Sequence, residues 1–208
     1  MDGKIAHVKV RELSIAGAWE FTPLQRADDR GVFLEWYRFD KLEEAIGHPL
    51  DLRQANTSVS RRGVVRGIHF ADVPRGQAKY VTVTHGAVLD YIVDIRVGSP
   101  TFGKWESVRL DDVDRRAVYL GEGLGHAFVA LTDDATVSYL VSDTYNPDAE
   151  HGIDPLDPHI ALIFPEEAGE ALLSPKDTDA PTLAEAAEQG LLPSWEAVSD
   201  FYDSLNGG

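Results

Sequence analysis

The chain runs Gly-Val-Val-Arg-Gly-Ile-His-Phe over residues 63–70, Ala-Asp-Val-Pro-Arg-Gly over 71–76 and Gln-Ala-Lys-Tyr-Val-Thr-Val over 77–83. The first and last of these segments are rich in β-branched and aromatic residues, which favour strands. The middle segment contains Pro74 and Gly76, which favour turns. The stretch therefore predicts two strands joined by a turn-rich connection.

Titratable side chains stand out on these two predicted strands. Arg66 and His69 lie on the first strand, and Lys79 lies on the second. Strand positions flanked by apolar residues are unusual places for charge, since most Arg and Lys side chains face solvent. We therefore interpret Arg66 and Lys79 as parts of an anion-binding site.

The distribution of charge supports this interpretation. The whole chain has a formal net charge of −16, yet residues 53–79 hold six basic residues and one acidic residue, a net +5 that leaves −21 for the remainder. A basic segment inside an acidic protein indicates a local site for an anion. Solvated loop charges remain the alternative for Arg61, Arg62 and Arg75. The six basic residues are Arg53, Arg61, Arg62, Arg66, Arg75 and Lys79.

Composition narrows the class of protein. A length of 208 residues with 43% hydrophobic residues suits one domain, predicted here as residues 1–208, with its core at about 19–165 and a C-terminal loop and helices at 166–208. The absence of cysteine excludes disulfides and thiol nucleophiles. No apolar run has the length of a membrane span, and the N-terminus lacks an apolar signal segment, so we expect a cytoplasmic protein without membrane contact. The acidic charge argues against nucleic-acid binding.

Alternation of apolar and polar residues predicts the fold class. About nine short strands are separated by turn signals, and helical spacing appears mainly at the end, over 183–191 and 195–205. This pattern is typical of an all-β sandwich or barrel.

Two of the predicted strands carry polar groups. In the strand Val32–Tyr37, Val32, Leu34 and Trp36 are predicted to face the core, while Glu35 lies on a surface that a ligand could contact. In the strand Ala87–Arg96, one face mixes apolar residues with carboxylates. This mixture predicts a barrel interior with a polar patch.

His69, Lys79 and a tyrosine on a later strand, Tyr139, form an acid–base set without an obvious nucleophile. Such a set suits proton abstraction next to a carbonyl, where a base removes the proton, a cation stabilises the enolate oxygen and a phenol returns a proton. Packed core residues are the alternative interpretation of His69 and Tyr139. Metal-binding cupin barrels use two histidines separated by one residue, and here Phe70 and Ala71 follow His69, so no catalytic metal is expected.

The motifs together resemble one family, the dTDP-4-dehydrorhamnose 3,5-epimerases, over about Trp19 to Trp195. The resemblance implies a cupin jelly roll with a helical C-terminal segment, a homodimer, no metal or other cofactor, and a dTDP-4-keto-6-deoxyhexose substrate. The motifs are Arg66-Gly67-Ile68-His69-Phe70, Gln77-Ala78-Lys79-Tyr80-Val81, Asp94-Ile95-Arg96, Gly98-Ser99-Pro100-Thr101-Phe102-Gly103 and Tyr145-Asn146-Pro147.

The resemblance also implies catalytic roles. His69 corresponds to the base that removes the C3 proton, and Asp177 corresponds to its carboxylate partner, although the residues around Asp177 alone would predict only a loop. Lys79 corresponds to the lysine that stabilises the enolate, and Tyr139 to the general acid on the opposite face of the sugar. Inversion requires two faces, because a base that returned its own proton would restore the starting centre.

Binding roles follow in the same way. Arg30 and Glu35 resemble residues that reach the ligand of the neighbouring subunit. Tyr145 resembles an aromatic residue that stacks on thymine, His126 resembles a second histidine of the sugar pocket, and Asp90 is expected to orient the basic groups. Four further residues resemble contacts to the nucleoside and the diphosphate, namely Gln54, Asn56, Arg66 and Lys176.

Two motifs depart from the family pattern. Gly125-His126-Ala127-Phe128 replaces Ala-His-Gly-Phe, and Pro155-Leu156-Asp157-Pro158 replaces Trp-Asp-Asp-Pro. Both flank the expected pocket, so the sequence leaves open whether C3, C5 or both centres are inverted. A C3-only or C5-only epimerase, a ketoisomerase and a non-catalytic sugar-nucleotide-binding cupin remain the alternatives.

Overall fold

The computed structural model describes residues 8–206, and strands dominate this part of the chain. Four helices are present in it: α1 at Phe39–Ile46, α2 at Pro175–Thr178, α3 at Leu183–Glu188 and α4 at Trp195–Asn206. The strands are β1 Lys9–Glu12, β2 Ala18–Thr22, β3 Gln25–Asp28, β4 Gly31–Leu34, β5 Gln54–Ser60, β6 Val65–Ala71, β7 Lys79–His85, β8 Ala87–Asp94, β9 Trp105–Asp111, β10 Ala117–Leu120, β11 Leu124–Ala130, β12 Ala135–Val141 and β13 Glu150–Gly152.

The strands form two main antiparallel sheets. The six-stranded sheet has the order β1-β2-β10-β7-β12-β5, and the five-stranded sheet has the order β13-β6-β11-β8-β9. Consecutive strands such as β5 and β6, or β7 and β8, lie in different sheets, so the chain crosses repeatedly from one sheet to the other. This arrangement confirms the prediction of an all-β cupin jelly roll with a helical C-terminal segment.

Alternating side chains from both sheets fill the interior between them. One buried cluster combines Val81 and Val137 from the six-stranded sheet with Val88, Ile92 and Phe128 from the five-stranded sheet. Since successive side chains point to opposite faces, these positions identify which neighbours on each strand also face inward. Lys79 on β7 and Tyr139 on β12 share the inward face of the six-stranded sheet.

Further segments cover the outer faces of both sheets. The chain after β13 covers the five-stranded sheet, where Ile160, Leu183 and Ala186 pack in one cluster with Tyr91. Helix α1 covers the six-stranded sheet through Leu42. No helix within residues 8–206 combines the length and apolar character needed to cross a membrane.

The prediction for residues 32–37 was wrong in part. Strand β4 ends at Leu34 and pairs only with β3, in a separate two-stranded sheet. Val32, predicted to face the core, is 42% exposed, and Phe33 is 67% exposed. The alternation is real, but within the described chain this hairpin has no second layer of structure to cover it.

The prediction for β8 is confirmed. Asp90 is completely buried on the same inward face as Val88 and Ile92. The barrel interior therefore contains a polar patch, as the mixed face of this strand predicted.

Candidate active site

A bulge in β6 brings Arg66 and His69 to the same face of the sheet. Phe128 of β11 pairs with Arg66 and His126 pairs with His69, so two residues of β6 oppose one residue of β11 between these pairs. Residues three apart on a regular strand point to opposite faces, whereas one extra residue restores the same direction. Gly67 lies within the bulge at φ +118°, and a Cβ there would come within 2.3 Å of the His126 carbonyl oxygen.

His69 is joined to a carboxylate from the C-terminal segment. Its Nε2 lies 2.6 Å from Oδ1 of Asp177, which is buried. Asp177 lies in the first turn of α2, where Ser174 caps the helix and donates its hydroxyl to Asp177 Oδ2 at 2.9 Å. Burial opposes ionisation of Asp177, but His69, Ser174 and Lys176 together bring its pKa below the ordinary value.

This pair defines which imidazole nitrogen can act as a base. An ionised carboxylate only accepts hydrogen bonds, so Nε2 of His69 carries the proton and donates it to Asp177. The other nitrogen, Nδ1, is left with a lone pair. The arrangement is that of a general base held in one tautomer by a carboxylate.

A second imidazole–carboxylate pair lies beside the first. His126 is the cross-strand partner of His69, and its Nε2 lies 2.7 Å from Oδ2 of the buried Asp90. Burial raises the pKa of Asp90, although the charges of His126 and Lys79 act in the opposite direction. Within the described chain, Asp90 Oδ1 has no hydrogen-bond partner.

Lys79 and Tyr139 lie on the opposite wall, the six-stranded sheet. Burial lowers the pKa of Lys79 below the ordinary value, while the charges of Glu150 and Asp90 partly offset this effect. Burial also raises the pKa of Tyr139; Glu150 raises it further, and the charge of Arg66 lowers it. The phenol therefore stays protonated at neutral pH.

Glu150 is a member of this cluster that sequence reasoning missed. It begins the short strand β13 and pairs with Ala71 at the end of β6, from which its charge acts on both Lys79 and Tyr139. It also lines a cavity of about 420 Å³ between the 71–77 connection and the 143–150 loop. The surrounding sequence, rich in Asp and Pro, contains no local signal for a strand or a site.

The residues expected to contact a nucleotide lie in three separate places. Gln54 donates to Asn56 Oδ1 at 2.7 Å and accepts from the backbone N–H of Tyr145 at 3.1 Å, so these three lie together. Asn56 is the cross-strand partner of Tyr139. Arg66 is exposed and donates to the Ser60 hydroxyl at 3.1 Å. Lys176 is exposed beside Asp177.

Arg30 and Glu35 are separate from this cluster. Arg30 lies at the tip of the β3–β4 hairpin with its side chain 89% exposed and paired with Asp28, and Glu35 pairs with Arg38. The structure of one chain thus leaves both side chains in solvent. Among residues 8–206, no group of three or more His, Asp or Glu side chains is arranged to hold a metal ion.

The arrangement has one clear chemical use. A base lies on one sheet with its carboxylate supplied by helix α2, and a phenol and an ammonium lie on the facing sheet, with an interior between them. A carbonyl compound held there could lose a proton to one wall and gain a proton from the other. This is the geometry required to invert a centre next to a carbonyl.

Comparison with known proteins gives consistent results. A dTDP-4-dehydrorhamnose 3-epimerase of Streptomyces niveus is 63% identical over 188 residues, 90% of either chain. A dTDP-4-dehydrorhamnose 3,5-epimerase of Mycolicibacterium smegmatis is 56% identical over 195 residues, 94% of this chain and 96% of that protein. The structure of ChmJ, a 3′-monoepimerase of Streptomyces bikiniensis in complex with dTDP-quinovose, matches with a TM-score of 0.91 at 47% identity, covering 94% of this chain and 98% of that one.

The family assignment rests on the whole domain and not on a single motif. The family model for dTDP-4-dehydrorhamnose 3,5-epimerase matches residues 12–185, which include β2 to β13, α1 and α2, and end within α3. The match, the jelly roll and the clustered His69, Asp177, Lys79 and Tyr139 agree with one another. The chain therefore belongs to the dTDP-4-dehydrorhamnose 3,5-epimerase family.

Proposed function

We propose that this protein is an isomerase that inverts C3 of a dTDP-4-keto-6-deoxyhexose, and C5 by the same chemistry, through an enolate intermediate. The observation that carries the proposal is the 2.6 Å contact between His69 Nε2 and Asp177 Oδ1, opposite a wall that presents Lys79 and Tyr139. The relatives described above, which act at C3 alone or at C3 and C5, support this substrate class.

The first half of the proposed reaction begins with the base on the five-stranded sheet. Nδ1 of His69 removes the proton at C3, which is acidic because it neighbours the C4 carbonyl. The C–H electron pair moves to the C4 oxygen, which becomes an enolate. The ammonium of Lys79 stabilises this negative oxygen, and Asp177 stabilises the imidazolium that has formed.

The second half uses the six-stranded sheet. Tyr139 gives its phenolic proton to C3 from the opposite face, the electron pair returns from the enolate, and the carbonyl re-forms. His69 then releases its proton to solvent, and Tyr139 regains one. C5 also neighbours the C4 carbonyl, so a second cycle after a change of sugar conformation would invert it without further groups.

The test is proton exchange followed by NMR in D₂O with dTDP-4-keto-6-deoxyglucose. We expect deuterium at C3 with inversion, and at C5 as well if both centres react. His69→Ala should slow C3 exchange by about 10²–10⁴-fold, the contribution of a positioned general base. His85→Ala is the matched control, since His85 lies on β7 but is exposed and far along the strand from Lys79.

Each alternative has its own outcome in this experiment. Deuterium and inversion at C3 alone would establish the single-centre epimerase. A folded wild-type protein that binds dTDP without any exchange would be a non-catalytic binding cupin. A normal rate of exchange in folded His69→Ala would contradict the assignment of His69 as the base.

We further propose a homodimer in which Arg30 and Glu35 complete the nucleotide site of the partner. Val32 and Phe33 expose apolar surface on the same hairpin, and within residues 8–206 Arg30 pairs with its neighbour Asp28. Burial of Phe33 against a second copy would cover this surface and direct the guanidinium toward a diphosphate.

Mixing two inactive variants tests the dimer. Arg30→Ala should weaken substrate binding, and His69→Ala should remove the base. If Arg30 serves the partner's site, refolding equal amounts together creates mixed dimers with one intact site, about a quarter of all sites. Activity in the mixture at low substrate concentration supports the proposal, and a mixture as inactive as its components contradicts it.

A further inference from the structure

The connection between β6 and β7 sets the position of Lys79, and a buried carboxylate packs against it. Gly76 in this connection has φ +77°, and a Cβ there would come within 2.5 Å of Cβ and 2.6 Å of Cγ of Glu122. Glu122 is 5% exposed and lies two residues after the end of β10. The side chain of Glu122 therefore lies against the backbone three residues before Lys79.

Both carboxylate oxygens of Glu122 accept hydrogen bonds from different elements. Oε1 accepts from the Ser142 hydroxyl at 2.9 Å, and that hydroxyl accepts from the backbone N–H of Ala78 at 2.8 Å. Oε2 accepts from the Tyr202 hydroxyl at 2.7 Å, which in turn accepts from the Glu122 backbone N–H at 2.9 Å. One side chain thus links helix α4 with the residue that precedes Lys79.

Ser142 extends the link to the second strand of the catalytic wall. It follows the last residue of β12, the strand that carries Tyr139, and its backbone N–H donates to the Ala78 carbonyl at 3.1 Å. Glu122 therefore holds the ends of β7 and β12 side by side through Ser142.

Open space borders one side of these polar contacts. A cavity of about 350 Å³ lies on this side of the sheet, and Gly76, Glu122 and Ser142 are among the residues that line it. Arg75, next to Gly76, is exposed. The hydrogen bonds of Glu122 act together with the bond from the Gly76 N–H to the Asp72 carbonyl, 2.8 Å long, to hold the connection.

We infer that Glu122 is a positioning residue for the proposed epimerisation, which acts through Ser142 and Ala78 to hold Lys79 and Tyr139 at the distance that enolate chemistry requires. The inference rests on the proposed function. Glu122 lies beyond the reacting groups and does not touch the sugar; it orients the wall that carries the ammonium and the phenol.

The test compares kcat with KM for C3 exchange. Glu122→Ala should lower kcat by about 10- to 100-fold, because small displacements of a catalytic group have effects of this size, while KM changes little. Glu122→Gln keeps the side-chain shape and one carbonyl acceptor, so it should recover most of the lost kcat. Ser142→Ala removes the hydroxyl that joins Glu122 to Ala78 and deletes fewer atoms than Glu122→Ala does. It is the second variant to measure if Glu122→Ala fails to fold.

Val198→Ala is the control for helix docking. Val198 is a buried anchor of α4 and lies beside Gly123, so its truncation loosens the helix without removing a hydrogen bond of Glu122. We expect a lower melting temperature with kcat close to wild type. A normal kcat in folded Glu122→Ala and Ser142→Ala, or an equal loss of kcat in Val198→Ala, would overturn the inference. A wild-type protein without exchange would instead overturn the proposed function.

Discussion

At the scale of single residues, Lys79 combines two opposing demands. In the proposed reaction its ammonium must be charged to stabilise an enolate, yet burial favours the neutral amine and lowers its pKa. Glu150 and Asp90 oppose that effect with their negative charges. Tyr139 shows the reverse shift, because burial of a phenol raises its pKa.

These directions predict the alkaline side of the pH–rate profile. Activity should fall as Lys79 loses its proton, and this fall should begin below the ordinary lysine pKa of 10.5. Burial raises the pKa of Tyr139 above its ordinary value of 10.0, so the phenol stays protonated over the neutral and mildly alkaline range. Lys79→Arg keeps a cation throughout this range, so the variant, although slower, should retain its kcat/KM to higher pH.

The measurement is kcat/KM for C3 exchange from about pH 6 to pH 10, where an unperturbed lysine would still be mostly protonated. Lys79→Met, which has no charge, should lose about 10²–10³-fold at neutral pH, by analogy with removal of an oxyanion donor. The same alkaline fall in wild type and Lys79→Arg would show that another group titrates there.

Sequence reasoning identified individual site residues unevenly. Arg66 and Lys79 were conspicuous because charges on apolar strands are unusual. Asp177 depended on the family resemblance, since a carboxylate in a loop 108 residues from His69 has no local relation to it. Glu150 was missed for the same reason, because only the folded chain brings β13 beside β6.

At the scale of elements, the bulge of β6 decides which side chains face the interior. Alternation alone would place Arg66 and His69 on opposite faces. Gly67 was the single cue to the bulge, because glycine inside a strand commonly marks one. The strands themselves were largely predictable, whereas the exposed β3–β4 hairpin was not, since alternation does not reveal whether a second layer covers it.

Gly67→Ala should therefore damage both stability and activity. An alanine at this position would have to keep a φ of +118°, and its Cβ would clash with the His126 carbonyl oxygen. We therefore expect a loss of about 3 kcal/mol or more in the free energy of unfolding. Gly190→Ala is the matched control, because Gly190 has φ +68° but nothing within 4 Å of the added atom. It should cost about 1–2 kcal/mol.

Urea unfolding of both variants measures this difference, and C3 exchange reports the position of His69. Equal losses of stability in the two variants would show that the backbone around residue 67 shifts to accept the new Cβ at little cost. Unchanged exchange in Gly67→Ala would show that the bulge tolerates a side chain.

At the scale of the whole molecule, a buried ion pair joins the barrel to the C-terminal segment. Asp94 at the end of β8 accepts hydrogen bonds from Arg96, Ser99 and Thr101. The guanidinium of Arg96 lies 4.6 Å from the ring centroid of Trp195, in the first turn of α4. Burial alone would raise the pKa of Asp94, but Arg96 and the two hydroxyls bring it below the ordinary value.

Asp94→Asn should lower the free energy of unfolding by about 3–5 kcal/mol at neutral pH, because Arg96 would remain buried without its partner. A carboxyl with a lowered folded pKa stabilises above its unfolded pKa of 3.8, and this contribution disappears as pH falls through the lower value. The difference between wild type and variant should thus be full at pH 7 and shrink below about pH 4.

Asp114→Asn provides the control, since its pair with Arg116 is solvent-exposed and should contribute less than about 1 kcal/mol. Unfolding in urea at several pH values gives the loss of stability for each variant. A loss in Asp94→Asn no larger than in Asp114→Asn would contradict the role assigned to the buried pair.

The class of fold could be predicted from the sequence, but the order of the strands in each sheet could not. Short alternating strands indicated an all-β sandwich or barrel with a helical end, and the family resemblance implied a jelly roll; the structure confirms both. The order of strands within each sheet depends on contacts between distant segments of the chain. Local sequence patterns do not encode these contacts. The single domain and the homodimer remain predictions.

The bulge of β6 has a practical consequence for enzyme engineering. A designer who copies the proposed base His69 into another barrel on a regular strand would obtain a histidine that points away from the interior. The recipient must also receive the irregular Gly67-Ile68 step and the neighbouring carbonyl that it approaches. The unit to be grafted is a kinked ribbon of two strands, and the side chains alone do not suffice.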